Sequence, residues 1–162
     1  MAVAMLAWLV AIPVLGGMTG LRSMTPMAVL CWFAYLGHLD IGGTWASWAA
    51  KLVTAIIFTV LAAGEYVGDK LPNTPNRTAI FPLTARFAFG GLVGALAATG
   101  LHGSVIEGIL LGAFSALVGA FLSFHLRQSL VKDQGYKDFW VASVEDVLAL
   151  GLSVLAMGVV TG

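Results

Sequence analysis

Apolar runs fill almost this entire chain, and its few charged residues gather on alternate connections between those runs. Inside hydrocarbon a backbone N–H or C=O finds no water, so a long apolar run must satisfy its own hydrogen bonds as a helix. Charged residues make up only 10% of the composition and hydrophobic residues 59%, with a mean hydropathy of +0.95. A soluble domain carries roughly 25% charged residues. The sequence therefore predicts an all-α integral membrane protein, a single transmembrane domain over residues 1–162 whose partner is the lipid bilayer.

The runs predict about six transmembrane helices at Ala2–Met18, Pro26–Leu39, Trp45–Val67, Leu83–Thr99, Ser104–Phe124 and Trp140–Val160. Crossing a core of about 30 Å takes about 20 helical residues. The third, fifth and sixth segments meet that length, the first and fourth fall slightly short, and the second is distinctly short. The second is thus either a thin span or a re-entrant half-helix. Met1–Gly20 has no positive n-region and reads as a retained span.

Arg22 lies on the first connection, Lys70 and Arg77 on the third, and Arg127, Lys132 and Lys137 on the fifth, with Arg86 just inside the fourth segment. Only Lys51 falls elsewhere. The positive-inside rule makes the odd connections cytoplasmic and places both termini outside. A re-entrant second segment would turn the N-terminus inward; six full crossings account for the charges better. Trp45, Trp48, Phe139 and Trp140 stand at segment starts, where interfacial aromatics lie.

Small residues recur at every fourth position. Gly108, Gly112, Ala116 and Ala120 line the fifth segment, Gly16 and Gly20 the first, and Gly90 and Gly94 the fourth. Such faces let helix backbones approach closely where lipid supplies no hydrophobic drive. They serve packing inside the bundle by default, with a homo-oligomer as the other use.

Polar chemistry concentrates in a few places. In Gly20-Leu21-Arg22-Ser23-Met24-Thr25-Pro26, proline suits a first helical turn, with Ser23 or Thr25 as its cap. The free N–H groups, two hydroxyls and Arg22 also form a candidate anion seat; a capped turn with a topology-setting arginine is the simpler reading. Glu65 and Asp69 are four residues apart and share one face of a last helical turn. Carboxylates are disfavoured at that negative end of the dipole, so Lys70, Arg77, Arg86 or Arg22 should compensate them. An ionisable group at membrane depth marks a pathway or an ion pair. Glu145 and Asp146, one turn inside the sixth segment, complete the set. Glu107 after Ser104 reads as a capping box, and His125 and Arg127 complement a helix C-terminus.

The single Cys31 excludes an internal disulfide. The three histidines fall in no metal motif, and no nucleotide, hydrolase or nucleic-acid signature is present. No cofactor, metal or nucleic acid is expected.

The order of Gly20-Leu21-Arg22-Ser23-Met24-Thr25-Pro26, Glu65-Tyr66-Val67-Gly68-Asp69-Lys70-Leu71-Pro72, Thr74-Pro75-Asn76-Arg77-Thr78, Ala85-Arg86, Gly90-Gly91 and Val144-Glu145-Asp146 resembles a bacterial membrane family known only as domain of unknown function 4126. The resemblance implies a multi-pass protein of the bacterial inner membrane. It groups Arg22, Glu65, Asp69, Lys70, Arg77, Arg86, Glu145 and Asp146 as one set without naming a task. A short echo of Thr19-Gly20-Leu21-Arg22 in Thr84-Ala85-Arg86 would, if structural, make the bundle an internal duplication.

The leading functional expectation is a small transporter or channel-like protein with a cytoplasm-facing polar site. The arginines would hold a small polar or anionic solute, while Glu65 and Asp69 take protons or cations. A membrane-embedded enzyme, a lipid-headgroup binder and a structural subunit are the alternatives. Catalytic activity is the weaker expectation, since no nucleophile motif accompanies the charges.

Overall fold

The computed structural model describes residues 2–71 and 79–162. Among these it contains six helices and no strand: α1 Ala2–Leu21, α2 Thr25–Tyr35, α3 Leu52–Gly68, α4 Ile80–Gly100, α5 Val105–Gln128 and α6 Asp138–Thr161. α5 runs on through a π turn, Ser129–Asp133, into the fifth connection. With that turn, α5 joins α4 and α6 as the three helices that, among the described residues, are long and apolar enough to cross a membrane. The chain is a membrane protein by that criterion.

Several lengths differ from expectation, the third and fourth among them. The fourth segment is a full 21-residue helix, while the third is broken and leaves α3 only 17 residues. Ahead of α3, Ser47–Ala50 forms a single 3-10 turn and Lys51 is extended, at φ −86° and ψ 138°. Hydroxyls hold that break. Thr44 donates to the Ile41 carbonyl at 2.7 Å and accepts from the Ala46 N–H at 3.2 Å. Thr54 donates to the Trp48 carbonyl at 2.7 Å. Turn backbone groups thus find partners without continuing the helix.

α2 stops after 11 residues for a similar local reason. Gly37 adopts φ +81°; its N–H bonds the Ala34 carbonyl at 3.2 Å, and the His38 N–H bonds the Phe33 carbonyl at 2.9 Å. That pair of bonds is a Schellman motif, which needs the left-handed residue that glycine supplies. Leu39 and Ile41 then pack on Gly100, the last residue of α4, and Trp45 Nε1 donates to Thr99 Oγ1 at 3.2 Å. The α2–α3 connection therefore sits at the same end of the bundle as the α4–α5 connection. α2 and its connection together reach the opposite end, and the re-entrant alternative does not describe this fold.

The centre of the bundle is α5, with α4 on one side and α1 on the other. On the α4 side, a Cβ added to Gly90, Gly94, Gly108 or Gly112 would collide with the facing helix, mostly with its backbone. On the α1 side, Gly16 and Gly20 meet the backbone of Gly112, Ala116 and Gly119. Both small-residue faces are used within the chain. The echo of Thr19-Gly20-Leu21-Arg22 in Thr84-Ala85-Arg86 falls at unlike places, Arg22 past the end of α1 and Arg86 inside α4. α2 and α3 pack on each other, α6 lies against α1 and α2, and α3 buries only Ala55 and Ala62.

Candidate functional site

The C-terminal ends of α1, α3 and α5 meet the N-terminal ends of α2, α4 and α6 at one end of the bundle, and the charges collect there. α2 begins with helical Met24 (φ −93°, ψ −22°), whose side chain caps nothing. The Ser23 and Met24 N–H groups instead donate to Glu65 Oε1 and Oε2 at 2.8 and 3.0 Å. The carboxylate of α3 thus caps α2 across the bundle, correcting the expectation of a local Ser23 or Thr25 cap. The Ser23 and Met24 N–H groups of the candidate anion seat are taken by Glu65. Thr25, almost fully buried, shares a 2.6 Å hydrogen bond with the Tyr66 hydroxyl, so consecutive residues of α3 hold both sides of the α1–α2 joint.

Arg22 follows the last residue of α1 and is wholly buried. Its guanidinium pairs with Asp69, the residue that follows α3, with Asp146 of α6 at 2.6 Å and with Glu145 at 3.9 Å. Nη2 also donates to the Ala142 carbonyl at 3.3 Å, and the group lies 5.8 Å from the Tyr66 ring centroid. An arginine out of contact with water needs this density of partners; stripping one partner from a buried pair costs about 3–5 kcal/mol. Glu65 and Asp69 share a helix face as the spacing predicts, but they do different work. Glu65 serves the backbone of the joint, and Asp69 serves its arginine.

Lys70 closes the cluster, its Nζ 3.1 Å from Asp146 Oδ2 and its side chain 28% exposed. It lies 5.2 Å from the Phe139 ring centroid. Asp146 therefore faces a buried cation on one side and a reachable one on the other. Because α6 begins at Asp138, Glu145 and Asp146 sit about two turns inside it, deeper than the single turn expected. Acids that far in are not first-turn stabilisers.

Arg127 has more to do than complement a dipole. It grips Asp138 through two bonds of 2.7 Å and lies 3.5 Å from Glu145, tying the end of α5 to the start of α6. Tyr66, Arg127 and Asp138 are the members that sequence reasoning missed. Tyr66 stood beside Glu65, and Asp138 opens the sixth helix, so proximity in sequence was the available signal. Arg86 is buried inside α4, and Arg77 lies outside the described residues. Glu107 donates its N–H to Ser104 Oγ at 3.5 Å, the cap read from the sequence. Among the described residues, no group of three or more His, Cys, Asp or Glu is placed to hold a metal ion.

Residues 5–159 match the family described as a domain of unknown function, DUF4126, and the chain belongs to that family. No curated protein and no solved structure matches it.

Proposed function

We propose that this member of an uncharacterised family is a small membrane carrier or channel whose polar site is the Arg22 cluster, working with protons or small cations. The observation that carries the reading is the buried guanidinium at the α1–α2 joint, held by acids from both α3 and α6. Ionisable groups at membrane depth are costly and recur on ion pathways. The partners favour a cationic solute over an anionic one. An anion would have to displace Asp69 or Asp146 from Arg22. A proton or cation needs only to compete for a carboxylate, and Asp146 is met from the accessible side by Lys70.

α6 touches α1 and α2, and α3 packs chiefly on α2. Loosening the Lys70–Asp146 and Arg22–Asp69 pairs would free α3 from α6 at the charged end without disturbing the glycine-packed α1–α5–α4 core. The cluster in this reading is both site and latch. Arg22, Lys70, Arg127, Lys132 and Lys137 lie at that end and Lys51 near the other, so by the positive-inside rule the charged end is cytoplasmic and both termini are outside. The membrane is the bacterial inner membrane.

Purified protein in liposomes carrying a pH-sensitive dye, under an imposed potential and an ion panel, tests the reading. Cation- or proton-dependent flux should appear and should change its pH profile in Asp146→Asn. Flux absent for every ion, or unchanged in the folded variant, would sink it.

A further inference from the structure

Lys70 is held as a bound amine would be. Its ammonium lies 3.1 Å from Asp146 Oδ2 and 5.2 Å from the centroid of the Phe139 ring. Phe139 and Asp146 stand seven residues apart in α6, so ring and carboxylate share one face of that helix, two turns apart. An anionic oxygen together with an aromatic face is a pairing that holds an organic ammonium group, the ring acting through its quadrupole. Both parts are braced. Arg22 takes the other oxygen of Asp146 at 2.6 Å, which orients the carboxylate, and Trp140 meets Phe139 edge to face with centroids 5.9 Å apart.

The ammonium itself comes from elsewhere. Lys70 stands two residues past the end of α3, and it reaches Asp146 on a flexible four-carbon stem. Its side chain is 28% exposed and Phe139 is 57% exposed, so the seat is open to a visitor and Lys70 can leave it by side-chain rotation alone. Other occupants fit worse. An anion would meet Asp146 and the negative face of the ring. A divalent metal asks for several oxygens. Asp146 has one oxygen beyond the one on Arg22, and among the described residues no group of three or more His, Cys, Asp or Glu is placed to hold a metal ion.

We infer that Asp146 and Phe139 form a binding seat for a primary alkylammonium solute, with Lys70 as its built-in competitor. The inference rests on the reading of the Arg22 cluster as a cation site, and it names the cation. A visiting amine replaces one ammonium by another, so the charge balance around Arg22 is unchanged while Lys70 turns to solvent. Because Lys70 also joins the end of α3 to α6, the bound amine undoes that tie and leaves the Arg22–Asp146 pair in place.

The test is chemical rescue on the purified full chain. Lys70→Ala removes the tethered ammonium and keeps the seat; n-propylammonium, which replaces the lost atoms, should raise the thermal unfolding midpoint of this variant saturably. Equal concentrations of sodium chloride, which lacks the stem, and of n-propanol, which lacks the charge, should not. Wild-type protein should bind the amine at least about tenfold more weakly, because Lys70 must first be displaced. In the Lys70→Ala background, Phe139→Leu should weaken binding about two- to fivefold and Asp146→Asn should abolish it. If Asp146→Asn fails to fold, Phe139→Leu and the two controls still decide. No rise in Lys70→Ala, a rise matched by sodium or propanol, an affinity equal to wild type, or undiminished binding after Phe139→Leu would each overturn the seat. Binding is read apart from flux: amine binding with no flux of any ion would keep the seat and remove the carrier, whereas ion flux with no amine binding would remove the seat alone.

Discussion

Replacing Gly90 by alanine tests how tightly the bundle is built. The added Cβ would stand 2.5 Å from the Ala116 Cβ and 2.7 Å from the Gly112 carbonyl oxygen. Carbon contacts settle at about 3.5–4.0 Å, so α4 and α5 must part by about 1 Å. A gap of that size forfeits roughly a quarter to a half of each contact along the seam, and overpacked cores lose about 1–3 kcal/mol. Alanine returns about 0.5–1 kcal/mol of helix preference, leaving a net loss of up to about 2.5 kcal/mol. Gly64→Ala in α3 is the control, because its Cβ meets nothing within 4 Å. It should be neutral or stabilising by about 0.5–1 kcal/mol. Denaturant titration of both proteins in the same detergent reads the difference. Equal shifts, or a stabilised Gly90→Ala, would refute the close α4–α5 approach and the role given to the small-residue face.

Gly112→Leu should be worse than Gly90→Ala, because the side chain would grow into the Gly90 backbone; a collapsed folded fraction by size exclusion is the readout, with Leu110→Phe unaffected. Glu65→Gln leaves one acceptor for two N–H donors and turns its amide toward the other. It should cost about 1–3 kcal/mol in thermal unfolding and speed hydrogen exchange at Ser23 and Met24. In a Cys31→Ala background, a cysteine at Gln134 should resist an impermeant thiol reagent on intact cells and one at Gly42 should react; the reverse pattern would invert the proposed orientation.

The helical class, the helix count and the charged end were legible because each follows from one-dimensional information: run length, loop charge and four-residue spacing. Helix interruptions were not, since Gly37 and Lys51 act through specific turns that average hydropathy does not register. The capping of α2 was invisible for a different reason. Ser23 and Thr25 are good local caps by residue type, but Met24 is helical and Glu65, 41 residues away from it, supplies a charged acceptor. Spacing placed Glu65 and Asp69 on one face and could not say that one reads backbone amides and the other a guanidinium. The glycine faces were legible as close-packing surfaces; only the fold shows that Gly112 and Ala116 of α5 meet both α4 and α1.

The central claim is that Arg22 and the acids of α3 and α6 form one coupled unit at the α1–α2 joint. A double-mutant cycle on unfolding free energy, using Arg22→Ala, Asp146→Asn and the pair, measures this most directly. Arg22→Ala alone should cost about 3–5 kcal/mol, since it strands carboxylates around an emptied site. The pair should cost less than the sum of the singles by about 1–3 kcal/mol. The same cycle run with Glu65→Gln should couple more weakly, because the bonds of Glu65 go to the Ser23 and Met24 amides. Additivity of Arg22 and Asp146 within about 0.5 kcal/mol would contradict the account.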